Sequence, residues 1–136
     1  MISRAEAARI LLERAATLSS YEAYCGLVAR RRGWELAPHH KLIVSAIDDV
    51  ICHRGPIRLL ITAPPGSAKS TYGTQMIPGY FFAREPLGLM IGGSHTQDLA
   101  DDFSYMAMNF IHENRIELGF DIGGKYTRHS ARAWVR

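Results

Sequence analysis

The stretch Ala63-Pro64-Pro65-Gly66-Ser67-Ala68-Lys69-Ser70 holds the residue types that most directly imply chemistry. Its spacing is that of the phosphate loop G-x-x-x-x-G-K-[ST], with alanine at both glycine ends. Such a loop works as a concavity of backbone N–H groups turned toward a triphosphate. A lysine reaches the β- and γ-phosphates, and a hydroxyl binds Mg²⁺. Lys69 and Ser70 hold those two positions, and a helix starting there aims its positive end at the same phosphates. Alanine costs about 1–2 kcal/mol more than glycine wherever a loop position needs a left-handed backbone. Gly66 and the small Ser67 still leave room for an anion to approach the backbone closely. The competing reading is a plain Pro-Pro-Gly strand-to-helix turn, with Lys69 and Ser70 as exposed first-turn residues. Position favours the phosphate loop, because an apolar run leads in and a helical pattern leads out.

The flanking elements must hold this loop in place. Ile57-Arg58-Leu59-Leu60-Ile61-Thr62 is a short apolar run between a Gly-Pro turn and a Pro-Pro-Gly turn, and it reads as a buried parallel strand. A helix is expected from Ala68 or Lys69 to Phe82 or Ala83, interrupted or kinked at Pro78-Gly79. Leu87-Gly88-Leu89-Met90-Ile91-Gly92 reads as a second buried strand. After Gly93-Ser94-His95, a helix from Thr96 to Asn114 buries Leu99, Phe103, Met106, Phe110 and Ile111. This alternation predicts an α/β fold, a P-loop NTPase-like parallel sheet flanked by helices and incomplete at its far side.

Ahead of the strand pattern the chain reads as helical. Ser3-Arg4-Ala5-Glu6 fits a capping box. Ala7, Ile10, Leu11, Ala15 and Leu18 then recur at helical spacing, predicting a helix near residues 4–18. Ser19 or Ser20 caps a second helix carrying Tyr21, Tyr24, Leu27 and Val28 and ending near Gly33. Leu36-Ala37-Pro38 is extended. A third helix, His40 to Cys52, places Leu42, Ile43, Ala46, Ile47 and Val50 on one face, and Gly55-Pro56 ends it. The domain reading is an N-terminal helical segment over 1–36 and a partial P-loop ATPase domain over 37–136.

The 136 residues suffice for one domain with a core and are few for a complete P-loop ATPase. Apolar residues make up 47% and charged residues 21%, ordinary values for a globular protein. No uninterrupted apolar window is long enough to span a membrane. The N-terminus mixes charges from the start and does not read as a secretory signal, so the cytoplasm is expected. Cys25 and Cys52 are isolated and read as buried thiols. The net charge of +3 is mild. Arg30-Arg31-Arg32 form a run, and Lys125, Arg128, Arg132 and Arg136 follow Asp121 with no acid among them. Both clusters read either as solvated faces or as contacts for a phosphate backbone.

With these residues in view, the chain resembles tailed-phage terminase large subunits. Pro64-Pro65-Gly66-Ser67-Ala68-Lys69-Ser70-Thr71-Tyr72 is similar to the phosphate loop of that family. Pro38-His39-His40-Lys41-Leu42 sits where the family has a Pro-x-His/Gln helix start near the adenine. Phe81-Phe82-Ala83-Arg84-Glu85-Pro86, Leu89-Met90-Ile91-Gly92-Gly93-Ser94-His95 and Leu99-Ala100 resemble the second strand and its loop. Ser130-Ala131-Arg132-Ala133-Trp134 resembles a short strand before a glycine-rich turn. The resemblance covers residues 21–136.

It implies the ATP-binding front of a motor ATPase that packages double-stranded DNA into phage capsids. ATP and Mg²⁺ are then the cofactors, held by Pro65, Gly66, Ser67, Ala68, Lys69, Ser70, Thr71 and His40, with Ser70 on the metal. In the full-length family the partners are double-stranded DNA, portal protein, the small terminase subunit and other copies in a ring, with no membrane. The location implied is the cytoplasm of an infected or lysogenic bacterial host.

Two departures bear on catalysis. Some members carry an arginine four residues before the lysine, where this chain has Pro65. The apolar strand ending in two acids is missing, because Asp48-Asp49 and Asp101-Asp102 both fall in helical patterns. No catalytic residue is therefore assigned, the chain is expected to stop short of the acidic strand and the nuclease domain, and the fragment is expected not to be catalytic alone. A helicase-like P-loop ATPase fragment and a non-catalytic nucleotide-binding remnant are the alternative functions.

The remaining candidates carry double readings. Ser94 and His95 follow a predicted strand, where they either touch nucleotide or DNA or simply cap the next helix. Arg84 is a trans-acting charge or a helix-end residue satisfying carbonyls. Trp34 and Trp134 stack on a base or pack at a core edge. No Cys or His stands at zinc spacing, so no protein-ligated metal is expected.

Overall fold

The computed structural model describes residues 2–55 and 57–122. The expected strand at Ser130–Trp134 and the cluster Lys125, Arg128, Arg132 and Arg136 lie outside them.

Local sequence dictates each helix start. Helix α1, Arg4–Thr17, is capped by Ser3, whose hydroxyl accepts from the Glu6 N–H at 3.1 Å. Most of α1 is solvated: Leu11 and Leu12 are 63% and 72% exposed. Helix α2, Tyr21–Arg31, is capped by Ser20, which accepts from the Ala23 N–H at 3.0 Å. Its Tyr21, Tyr24, Cys25, Val28 and Ala29 recur at three- and four-residue spacing, and all are buried. Gly33, at φ +67°, turns the chain out of that helix.

Helix α3, Pro38–Ile51, starts two residues earlier than the expected His40, because proline is well placed in a first turn where its missing N–H is no loss. The face it buries carries Val44, Ile47 and Asp48, whereas the expected Leu42 is 74% exposed.

The helix expected after Ala68 is divided in two. Lys69 and Ser70 are helical, Thr71–Gln75 form a wide π-helical turn, and α4, Ile77–Arg84, follows. Pro78 accounts for the break: it has no N–H for the carbonyl four residues back, and its ring crowds that carbonyl. The Met76 N–H therefore reaches back five residues, to the Thr71 carbonyl at 3.0 Å. Helix α5, Gln97–Glu113, is capped by Thr96, which accepts from the Leu99 N–H at 3.3 Å. The short α6, Arg115–Leu118, ends at Gly119 with φ +76°.

The helices share one core of Tyr21, Tyr24, Cys25, Val28, Val44, Ile47, Tyr72, Met76, Tyr80, Phe110, Ile111 and Leu118. Three tyrosine rings, from Tyr21, Tyr24 and Tyr80, lie 5.2 to 6.3 Å apart between centroids at its centre.

The α/β expectation is overturned. Among the described residues no strand forms and no parallel sheet exists; the fold is helical. Residues 57–62 and 87–92 are irregular backbone, and most of their apolar side chains face solvent. Ile57 is 87% exposed, Leu60 88%, Leu89 85% and Ile91 88%. A strand exists only where a neighbour pairs its N–H and C=O groups, and among the described residues neither run has such a neighbour. Short apolar runs fix neither a strand nor burial by themselves, and here the helix faces supply the core instead. Only Ile61 of the first run packs against the core, close to Gly73 of the π-helical turn.

Candidate functional site

The 63–70 segment is built from the backbone outward. Pro65 and Gly66 form a turn in which the Ser67 N–H donates to the Pro64 carbonyl at 3.3 Å. Gly66 adopts φ +79° and Ala68 φ +56°. Ala68 occupies the second glycine position of the motif, and among the described residues only His53 joins it as a non-glycine residue with positive φ. An alternation of left- and right-handed residues can turn successive N–H groups to one side, the geometry of an anion-binding concavity. Ser70 is already right-handed at φ −70°, ψ −35°. The Tyr72 N–H donates back to the Ala68 carbonyl at 3.2 Å, so the helical turn closes directly behind the loop.

The side chains match this frame. Lys69, Ser70 and Thr71 are half-buried, while Pro65 and Gly66 are exposed. The Ser67 Oγ is buried without a hydrogen-bond partner. A buried orphan hydroxyl is costly and seldom persists without a ligand or water to satisfy it. Lys69 and Ser70 follow within three positions, so an ammonium and a second hydroxyl lie close to it in sequence. These residue types are chemically compatible with a phosphate and its magnesium.

His40 comes to the same neighbourhood. Its Nδ1 accepts from the Ala37 N–H at 3.2 Å, which orients the ring at the start of α3. The ring then lies 4.7 Å from that of Tyr72, two residues beyond Ser70, and His39 stands 4.0 Å behind it. The structure thereby joins the Pro38 helix start to the segment after the loop.

The other candidates are occupied elsewhere. The Arg84 guanidinium donates to the Leu18 carbonyl at 3.1 Å and lies 5.6 Å from the Tyr80 ring, so it satisfies the end of α1. In the arginine run, Arg31 pairs with Glu117 and donates to Asn114 Oδ1 at 2.9 Å. Arg32 pairs with Glu113 at 2.6 Å and sits over the rings of Phe110 and Trp34, at 4.4 and 5.1 Å. These two arginines tie α2 to α5 and α6, and Trp34 stacks on one of them. Ser94 and His95 are exposed in the loop before α5. Trp134 lies outside the described residues.

The acid pairs lie in helices, as their patterns implied. Asp48 is buried and accepts from the Tyr21 N–H at 3.0 Å, the Tyr80 hydroxyl at 2.8 Å and the Arg54 guanidinium. Asp49 accepts from Arg54 at 3.1 Å, and Asp101 from Gln97 at 2.6 Å. Among the described residues no group of three His, Cys, Asp or Glu side chains is placed to hold a metal ion. Cys25 is buried and Cys52 half-buried, both as free thiols. No helix of the described residues is long and apolar enough to cross a membrane.

One contact beside the loop had no signal in the sequence. The Tyr21 hydroxyl donates to the backbone carbonyl of Tyr72, inside the π-helical turn. Tyr21 was legible only as part of an apolar helix face, and a carbonyl leaves no trace in a side-chain pattern.

Comparison with known proteins returns no matching family model, no matching curated protein and no matching solved structure.

Proposed function

We propose that the chain binds ATP–Mg²⁺ through the 63–70 loop, as the ATP-binding N-terminal portion of a packaging motor ATPase of the terminase large-subunit type. The observation that carries the reading is the backbone of Ala68. It takes φ +56° at the motif position reserved for glycine, although alanine there costs about 1–2 kcal/mol. A plain strand-to-helix turn has no need of that strain, whereas a loop that must present consecutive N–H groups does.

The roles follow from position. The N–H groups of Gly66, Ser67 and Ala68 cradle the phosphates, with Pro65 shaping the turn before them. Lys69 neutralises the β- and γ-phosphates, and Ser70 supplies a hydroxyl to the magnesium. Thr71 continues the first helical turn, and His40 flanks it from α3. Bound magnesium would neutralise the phosphate charge. The motor reading adds double-stranded DNA, a portal, a small subunit and further copies as partners, in the cytoplasm of a bacterial host. It rests on the loop and its flanking residues; the helical fold lends it no support.

A non-catalytic nucleotide-binding role is the second reading. One observation favours it: the carboxylates of Asp48 and Asp49 are engaged by Tyr21, Tyr80 and Arg54.

Titration with a fluorescent ATP analogue in the presence of Mg²⁺ tests both readings. Lys69→Ala removes a charge-assisted contact worth roughly 1.5–3 kcal/mol, so affinity is expected to fall about tenfold or more. Equal binding by the two proteins would overturn the assignment of the loop.

A further inference from the structure

We infer that Tyr21 is a positioning residue for the phosphate loop. Its hydroxyl, by holding the Tyr72 carbonyl, keeps the turn behind Lys69 and Ser70 in its wide register. The inference rests on the proposed phosphate-binding role of that loop.

Tyr21 is fully buried and held at both ends. Its backbone N–H donates to Asp48 at 3.0 Å, and its hydroxyl donates to the Tyr72 carbonyl. Tyr72 is gripped in turn from two sides, its carbonyl by Tyr21 and its ring by His40 at 4.7 Å. The π-helical turn contains one residue more than an α-turn needs. In an α-helix each residue advances about 100° around the axis. Relaxation of Thr71–Gln75 to α register would therefore swing Lys69 and Ser70 by about that angle relative to α4, carrying both away from the loop. Pro78 has no N–H to donate to the Thr74 carbonyl four residues back, so the α register gains one hydrogen bond fewer there. The Tyr21 hydroxyl supplies the donor that a relaxed turn would otherwise draw from its own backbone.

Tyr24 is the built-in control. It lies in the same ring cluster, equally buried, but its hydroxyl has no partner. Tyr21→Phe and Tyr24→Phe each delete one buried hydroxyl from one cluster, and only the first cuts the tie to the turn.

The test measures the affinity of a fluorescent ATP analogue with Mg²⁺ for the full chain and for Tyr21→Phe, Tyr24→Phe and Lys69→Ala. Far-UV circular dichroism checks that each variant is folded. Tyr21→Phe is expected to weaken binding about fivefold, and Tyr24→Phe to leave it unchanged. Wild-type affinity in Tyr21→Phe, with Lys69→Ala impaired, would overturn the positioning role and leave the binding loop standing. Loss of binding in Tyr24→Phe equal to that in Tyr21→Phe would reduce the effect to general packing and also overturn it. No binding by wild type would remove the proposed function and this inference together. Should Tyr21→Phe fail to fold, amide exchange of the wild-type chain decides. The Tyr72 and Met76 amides must exchange as slowly as those of Val28 and Ile47, and exchange at the rate of a frayed turn overturns the inference.

Discussion

The Tyr80 hydroxyl donates to Asp48 Oδ1 at 2.8 Å, joining α4 to α3 across the buried centre of the protein. The same carboxylate takes the Tyr21 N–H and the Arg54 guanidinium, so one acid fastens three elements to each other. Burial pushes Asp48 up, but the hydrogen bonds from Tyr80, Arg54 and the Tyr21 amide outweigh it and hold the carboxyl below its ordinary range. Burial and then the Asp48 charge push the Tyr80 phenol well above its usual value, so it remains a donor across the physiological range.

A depressed folded-state pKa stabilises the protein above the unfolded value, about 3.9 for an aspartate, and the benefit disappears as pH falls through the folded value. Urea midpoints are therefore expected to fall over the acid interval below about pH 4. The Asp48→Asn variant is expected to start less stable at neutral pH and to show a shallower decline over that interval. Parallel pH profiles for the two proteins would contradict the role given to Asp48.

Ala68→Gly is expected to stabilise the chain. Relief of the left-handed alanine returns about 1–2 kcal/mol, and the greater freedom of glycine in the unfolded state removes about 0.4–1, leaving a gain of up to about 1.6 kcal/mol. A rise in the urea midpoint at unchanged slope is the expected reading. A fall would mean that position 68 is not left-handed in solution.

Gly79 and Gly26 make opposite predictions. A Cβ at Gly79 would stand 2.9 Å from the Tyr24 hydroxyl oxygen and 3.2 Å from Leu118 Cδ1, both fully buried. Overpacking of about 1–3 kcal/mol exceeds the helix-propensity gain of alanine, so Gly79→Ala is expected to destabilise by about 1 kcal/mol. A Cβ at Gly26 meets nothing nearer than Arg30 at 3.7 Å, so Gly26→Ala is expected to stabilise by up to about 1 kcal/mol. Thermal melts of both variants should move in opposite directions.

Hydrolysis is expected to lag far behind binding. Phosphoryl transfer depends on positioned charge and an oriented water, and in the proposed reading Lys69 with Ser70 would supply contacts made as much in the ground state as in the transition state. Asp48 and Asp49 are held by Tyr21, Tyr80 and Arg54, and the residue four before Lys69 is Pro65, which carries no charge. Absence of a general base alone costs about 10²–10⁴ in rate. Phosphate release by the 136-residue chain should stay near background. Turnover of about 1 s⁻¹ that Lys69→Ala abolishes would overturn this prediction.

What the sequence determined by itself was local. Ser3, Ser20 and Thr96 cap helices because a side-chain oxygen reaches an N–H three residues on, an interaction that needs no distant partner. The loop spacing is local in the same sense, since Gly66 through Ser70 carry their geometry in consecutive residues. Everything that needed a second segment was decided by tertiary structure. Ile57–Thr62 and Leu87–Gly92 have the apolar character of strands, yet a strand exists only through pairing, and among the described residues neither run is paired. The face of α3 turned to bury Asp48, because two donors from distant positions, the Tyr21 amide and the Tyr80 hydroxyl, converge on it beside the nearby Arg54. Arg31 and Arg32 read as a solvated or phosphate-binding charge run until Glu117 and Glu113 arrived beside them. The grip of Tyr21 on the carbonyl of Tyr72 was invisible for the same reason: it joins a side chain to a backbone atom 51 positions away, and only the folded chain brings them within hydrogen-bonding distance.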